Sequence, residues 1–157
     1  MSKSVVYVSG TGNTELLAKT IAHELGEDVY CGKPSEEALE ADTIFVGFWA
    51  QAFSCPPVIK DVLEKLKNKK VFIFATAGYG STPEFFNPIM DSAVAHLDSS
   101  NTVIGTYICQ GKVSEKKQEA IKQMDATKYE NMKAELDNSL SHPDADDLDK
   151  LRKAIVL

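Results

Sequence analysis

Cysteine and long apolar runs are scarce in this sequence, and each shortage excludes a class of protein. The three cysteines, Cys31, Cys55 and Cys109, are odd in number and far apart. No pair of them has CxxC spacing, which argues against a disulfide framework or a zinc site and leaves them as small core residues. No run of about 18 uncharged apolar residues occurs, so no membrane insertion is expected.

Positive charge is also in short supply. Lysine and arginine total 17 against 23 acidic residues, a net charge of −6, which disfavours nucleic acid as a partner. The N-terminal stretch MSKSVVYV enters a strand pattern almost at once and has no secretory signal, so a cytoplasmic location is expected. The length predicts one domain over residues 1–157, and we expect it to act as a monomer.

The apolar pattern predicts an α/β fold. Stretches rich in β-branched and aromatic residues indicate five strands, at residues 5–8, 29–31, 43–48, 71–76 and 102–109. Segments of helical period lie between them, and weaker helical patterns follow residue 110 before Asp144, a predicted N-cap of a closing helix. The alternation predicts a three-layer, doubly wound parallel sheet. The order 2-1-3-4-5 is common to five-stranded sheets of this type.

The turn after the first strand has an unusual supply of uncharged hydrogen-bond donors. It reads SGTGNT and opens a helix, whose N-terminal N–H groups favour a phosphate. A Walker lysine is missing, and Glu15 replaces the third glycine of GxGxxG, so the NTPase and dinucleotide fingerprints both fail. A capped turn without a ligand is the alternative. The candidate phosphate-binding residues are Ser9, Gly10, Thr11, Gly12, Asn13 and Thr14.

Aromatic residues follow the third and fourth strands. Trp49 comes directly after a buried strand, where it either caps the core edge or faces a ligand. Tyr79 stands between two glycines in a tight turn, which presents its ring outward. Ligands of open α/β sheets bind beyond the carboxyl ends of the strands, so both rings are placed to stack on a flat heterocycle that carries the phosphate. The candidate residues here are Phe48, Trp49, Ala50, Thr76, Ala77, Gly78, Tyr79 and Gly80.

These motifs resemble those of the flavodoxins. VVYVSGTGNTE matches their FMN phosphate-loop pattern, (Ser/Thr)-x-Thr-Gly-x-Thr, at every fixed position. The GYG turn resembles the aromatic loop that covers one flavin face in that family. The resemblance implies FMN as cofactor, with Trp49 and Tyr79 flanking the isoalloxazine, in a short-chain flavodoxin. The pieces GFW, CQGK and SHPD also resemble a flavodoxin-like subgroup from anaerobic bacteria, some members of which are associated with reduction of bilirubin and other small molecules.

The resemblance implies an electron carrier that takes electrons from a donor reductase and passes them to an acceptor enzyme. Such a carrier needs no catalytic side chain, because the cofactor does the redox chemistry. We therefore expect structural roles for His23, His96 and His142, and no metal site. Two alternatives remain open: an NAD(P)H-dependent FMN reductase acting on quinones or other small molecules, and a ligand-free structural domain.

Overall fold

The computed structural model of the chain describes residues 2–10, 12–26, 28–50, 54–78 and 82–155. Its strands are β1 Lys3–Tyr7, β2 Tyr30–Gly32, β3 Thr43–Trp49, β4 Lys70–Ala77 and β5 Thr102–Gln110. Every neighbouring pair is parallel, and the order is β2-β1-β3-β4-β5. The predicted fold class and strand order are confirmed, with strand ends within two residues of those predicted.

Helices cover both faces of the sheet. Their bounds are α1 Asn13–Leu25, α2 Pro57–Lys65, α3 Pro83–Ala95, α4 Glu115–Lys122, α5 Ala126–Ser139 and α6 Ala145–Ala154. Side chains alternate across each strand, so Val46 of β3 packs with α2 and α3, whereas Phe45 packs with α1 and α6. The two cores that result lie on opposite sides of the sheet, each between the sheet and one layer of helices, as in a three-layer sandwich.

The segment after β5, weakly patterned in the sequence, forms the hairpin of α4 and α5. Ser114 caps α4 by accepting a hydrogen bond from the Lys117 N–H, and Asp125 caps α5 in the same way. The hairpin has its own small core around Val113, Ile121 and Leu136. This core seats the hairpin beside the carboxyl end of β5.

The closing helix begins at the predicted cap. The Asp144 carboxylate accepts from the Asp147 N–H, and the Asp147 carboxylate accepts from the Asp144 N–H, both at 2.9 Å. His142 Nδ1 lies 2.6 Å from Asp147 Oδ2, and the Tyr107 hydroxyl donates to the Asp147 carbonyl at 2.8 Å. His142, Asp144 and Asp147 place possible metal ligands within 4.8 Å of one another, but the helix cap accounts for this cluster.

The three cysteines form no disulfide and lie partly or fully within the protein. All three cysteines are free thiols; Cys55 and Cys109 are buried and Cys31 is half-buried. Burial raises the pKa of the Cys109 thiol, which keeps it neutral. In the portion of the chain that is described, no helix is both long and apolar enough to cross a membrane.

Candidate functional site

A cavity of about 380 Å³ opens at the carboxyl edge of the sheet. Parallel strands all end at this edge, so the loops after β1, β3, β4 and β5 meet around one space. The lining residues are Gly10, Asn13, Trp49, Ala50, Thr76, Ala77, Gly78, Gly111, Lys112, Val113, Ser114, Lys116 and Lys117. Seven of these, from Gly10 through Gly78, are residues that the sequence predicted for cofactor binding.

The loop after β1 makes a tight turn that leads into α1. Gly12 has a φ of 93°, a left-handed conformation that glycine adopts without steric cost. Ser9 Oγ accepts hydrogen bonds from the N–H groups of Gly12 and Glu15, at 3.0 and 3.4 Å. Ser9 therefore shapes the loop, and it is not among the residues that line the cavity.

Two further side chains join this loop to segments that are distant in the sequence. Thr14 Oγ1 lies 3.0 Å from Thr76 Oγ1, and both residues are buried. Asn13 Nδ2 donates to the Lys112 carbonyl at 2.8 Å, which connects the start of α1 to the loop after β5. The start of α1 is thereby held by β4 on one side and by the β5–α4 loop on the other.

Trp49 is part of the cavity wall and also contacts the loop after β1. Its ring approaches Gly10 closely enough that a Cβ built on this glycine would lie 3.8 Å from Trp49 Cε2. The half-buried ring also borders a second depression, on the side of Ser9 and Lys33. The next residue, Ala50, donates its N–H to the Thr76 carbonyl at 2.9 Å, which fixes the start of this loop on β4.

The remaining candidate residues are either absent from the cavity lining or outside the described residues. Phe48 is fully buried in the core, so its side chain is absent from the cavity wall. Thr14 is fully buried and is not among the residues that line the cavity. The predicted contacts of Thr11, Tyr79 and Gly80 fall outside the described residues and stay predictions.

The sequence analysis missed the wall that follows β5. This wall runs from Gly111 to Ser114 and continues into the first turn of α4. The sequence could have indicated this wall, because the fifth strand of a parallel sheet ends at the same edge as the others. Gly111 is a further sign of close approach: a Cβ there would lie 2.8 Å from Asn13 Nδ2.

A buried amide network supports this wall. Gln110, which is only 3% exposed, donates to the Gly78 carbonyl at 3.4 Å and accepts from Asn138 Nδ2 at 2.7 Å. The network links the carboxyl ends of β4 and β5 to the end of α5. The α4–α5 hairpin therefore positions part of the cavity.

These features fit a mononucleotide-sized cofactor. The cavity has the start of an α-helix for an anionic group and the half-buried Trp49 ring for a flat one. In a sheet of order 2-1-3-4-5, the ligand site lies where the winding direction reverses, between β1 and β3. Fold and cavity together fit an α/β protein that binds a mononucleotide-sized cofactor.

Comparison with known proteins identifies the family. The flavodoxin domain family model matches residues 4–156, and the chain belongs to the flavodoxin family. A flavodoxin-like domain-containing protein, BilS, of Clostridioides difficile is 30% identical, over 94% of this chain and 90% of that protein. The flavodoxin of Megasphaera elsdenii is 33% identical, over 66% of this chain and 82% of that protein. The predicted family and its cofactor, FMN, are confirmed.

Solved structures agree with this assignment. The two-electron reduced flavodoxin of Megasphaera elsdenii superimposes with a TM-score of 0.54 at 32% identity, covering 68% of this chain and 84% of that one. Oxidised flavodoxin 1 of Bacillus cereus superimposes at 0.56 over 90% of this chain and all of its own. Its identity is 18%, so that likeness concerns the fold alone.

Proposed function

We propose that this protein is an electron carrier that binds FMN, receives electrons from a donor reductase and passes them to an acceptor enzyme. The observation that supports this proposal most directly is the cavity at the carboxyl edge of the sheet, where Gly10 and Asn13 at the start of α1 face the same space as Trp49. FMN supplies the redox chemistry when bound, and the chain holds and orients it.

Residues 9–14 would hold the phosphate, and the loops after β3 and β4 would hold the ring, with Trp49 on one side and Tyr79 on the other. The described cavity wall contains lysines but no histidine, cysteine or carboxylate.

The test is the absorption spectrum and flavin affinity of the purified protein. We expect a flavin absorption band, or its appearance when FMN is added to the apoprotein, and weaker binding of riboflavin, which lacks the phosphate. A colourless preparation that binds neither flavin would overturn the proposal and support the ligand-free alternative.

A second measurement separates carrier from reductase. A carrier is expected to leave NAD(P)H unoxidised when no partner reductase is present, and to be reduced when one is added. Steady NAD(P)H oxidation by the isolated protein would instead support the FMN reductase alternative. The proposal includes a monomeric state and a cytoplasmic location; sedimentation of the holoprotein and cell fractionation test these two parts.

A further inference from the structure

Positive charge is concentrated on one wall of the cavity. Lys112, Lys116 and Lys117 line it, and no aspartate or glutamate is among the described lining residues. The whole chain carries a net charge of −6, so this local excess runs against the average composition. A concave surface lined by one sign of charge favours a ligand of the opposite sign.

Several side chains of the uncharged loop after β1 already form hydrogen bonds to other groups of the protein. Ser9 accepts two backbone N–H groups, Thr14 is paired with Thr76, and the Asn13 amide donates to the Lys112 carbonyl. A phosphate monoester carries a charge of about −1.5 to −2 at pH 7. The described part of the loop offers backbone N–H groups and a helix dipole, but no formal positive charge.

Lys112 is well anchored beside that loop. Its backbone accepts the bond from Asn13, and its neighbours Gly111 and Val113 are both buried. The Gly111 N–H donates to the Ala77 carbonyl at 2.9 Å, and the Val113 N–H donates to Ser139 Oγ at 3.4 Å. The backbone position of Lys112 is therefore fixed while its side chain remains exposed at the cavity.

Lys112 has no ion-pair partner among the described acidic residues. In the described part of the chain, neither Lys112 nor Lys116 forms an ion pair with a carboxylate. Glu15, the acid nearest the loop in sequence, pairs with Lys19 at 2.7 Å. Glu115 lines the neighbouring depression, which Lys112 also lines, and is not among the residues that line the main cavity.

We propose that Lys112, supported by Lys116 on the first turn of α4, provides the positive charge that binds the FMN phosphate at the start of α1. This inference rests on the proposed function. It assigns the phosphate site to two segments about 100 residues apart in the chain, the loop after β1 and the loop after β5, joined by the Asn13–Lys112 hydrogen bond. Lysine suits this role because its ammonium acts as a mobile point charge toward phosphate.

The test compares FMN and riboflavin as ligands of the apoprotein, by titration calorimetry at low and at high salt. Lys112→Gln is expected to weaken FMN binding about fivefold at low salt, while riboflavin binding changes little. The FMN effect should shrink as salt is added, because screening weakens an exposed charge pair. Lys116→Gln should act in the same direction but less strongly, and Lys112→Arg should retain most of the affinity.

Lys70→Gln is the matched control. It removes the same charge from an exposed lysine at the first residue of β4, a full strand length from the cavity edge. Equal weakening of both flavins by Lys112→Gln, or an effect no larger than that of Lys70→Gln, would overturn the inference while the proposed function stands. A wild-type protein that binds neither flavin would overturn both.

Discussion

Thr14 Oγ1 and Thr76 Oγ1 lie 3.0 Å apart, although 62 positions separate these residues in the chain. Thr14 is fully buried and Thr76 is 2% exposed, so each hydroxyl depends on the other for a partner that water would otherwise supply. Either atom can be the donor. The pair joins the first turn of α1 to the end of β4, at the end of the loop that is the candidate phosphate site.

The first prediction concerns this pair. Thr14→Val or Thr76→Val in the apoprotein should each lower the free energy of unfolding by about 1–3 kcal/mol, because each leaves the other hydroxyl buried without its partner. The double variant should cost less than the sum of the single variants, since valine has nearly the same shape and no orphan hydroxyl remains. Urea unfolding of all four proteins measures the coupling. Strictly additive costs would contradict the contact.

The second prediction separates the structural role of Thr14 from a role in phosphate binding. Thr14→Ser keeps the hydroxyl, whereas Thr14→Val removes it at similar volume. Thr14 is fully buried against Thr76 and is not among the residues that line the cavity, so its hydroxyl acts on the site through the position of α1. Thr14→Val should therefore weaken FMN and riboflavin to a similar extent, and Thr14→Ser should restore most of the loss. A loss confined to FMN would instead assign the Thr14 hydroxyl to the phosphate.

The third prediction uses the single tryptophan. Because Trp49 is the only tryptophan and lines the cavity, its emission reports directly on the site. A flavin stacked on the indole should quench it, so removal of FMN should raise the fluorescence severalfold and added FMN should reverse the change. Trp49→Phe should abolish the signal. Identical emission from the holoprotein and the apoprotein would exclude Trp49 as a ring contact.

The fourth prediction concerns the close approach of two loops. In Gly111→Ala the new Cβ would lie 2.8 Å from Asn13 Nδ2 and 3.1 Å from Asn13 Cβ, so the Asn13–Lys112 bond must give way. We expect a loss of about 1–3 kcal/mol in the free energy of unfolding and weaker FMN binding. In an Asn13→Ala background the same substitution should cost less, because the amide has been removed. An equal cost in both backgrounds would show that the clash lies elsewhere.

The fifth prediction concerns acid stability. Hydrogen bonds from the Ser100 side chain and backbone, followed by Lys67, lower the pKa of Asp98 from 3.8 to about 2. A carboxyl whose pKa falls on folding stabilises the protein above its unfolded pKa and loses this contribution as pH falls toward the folded value. The thermal midpoint of Asp98→Asn should therefore lie below that of wild type at neutral pH, and the gap should narrow between pH 3.8 and about 2. High salt should reduce the gap, since the ion pair of Asp98 with Lys67 is partly exposed to solvent.

The sequence by itself determined the five strands and the edge of the sheet at which a ligand site is expected, whereas the strand order came from its frequency among five-stranded sheets of this type. Strand and helix patterns depend on residues only a few positions apart in the chain. The five strands and the Asp144 cap can therefore be predicted without a structure. The same holds for the SGTGNT turn, because a loop between a strand and a helix presents N–H groups wherever the chain folds that way.

Only the tertiary structure decided which side chains face the cavity. Thr14 turns toward Thr76, and Phe48 turns into the core, because α1 packs against β4 and the side chains of β3 alternate between two cores. The Lys112 carbonyl meets the Asn13 side chain at the start of α1 because Gly111 permits the β5–α4 loop to approach it. These contacts join residues 62 and 99 positions apart, and a hydrophobic period of two or 3.6 residues carries no information about such pairs.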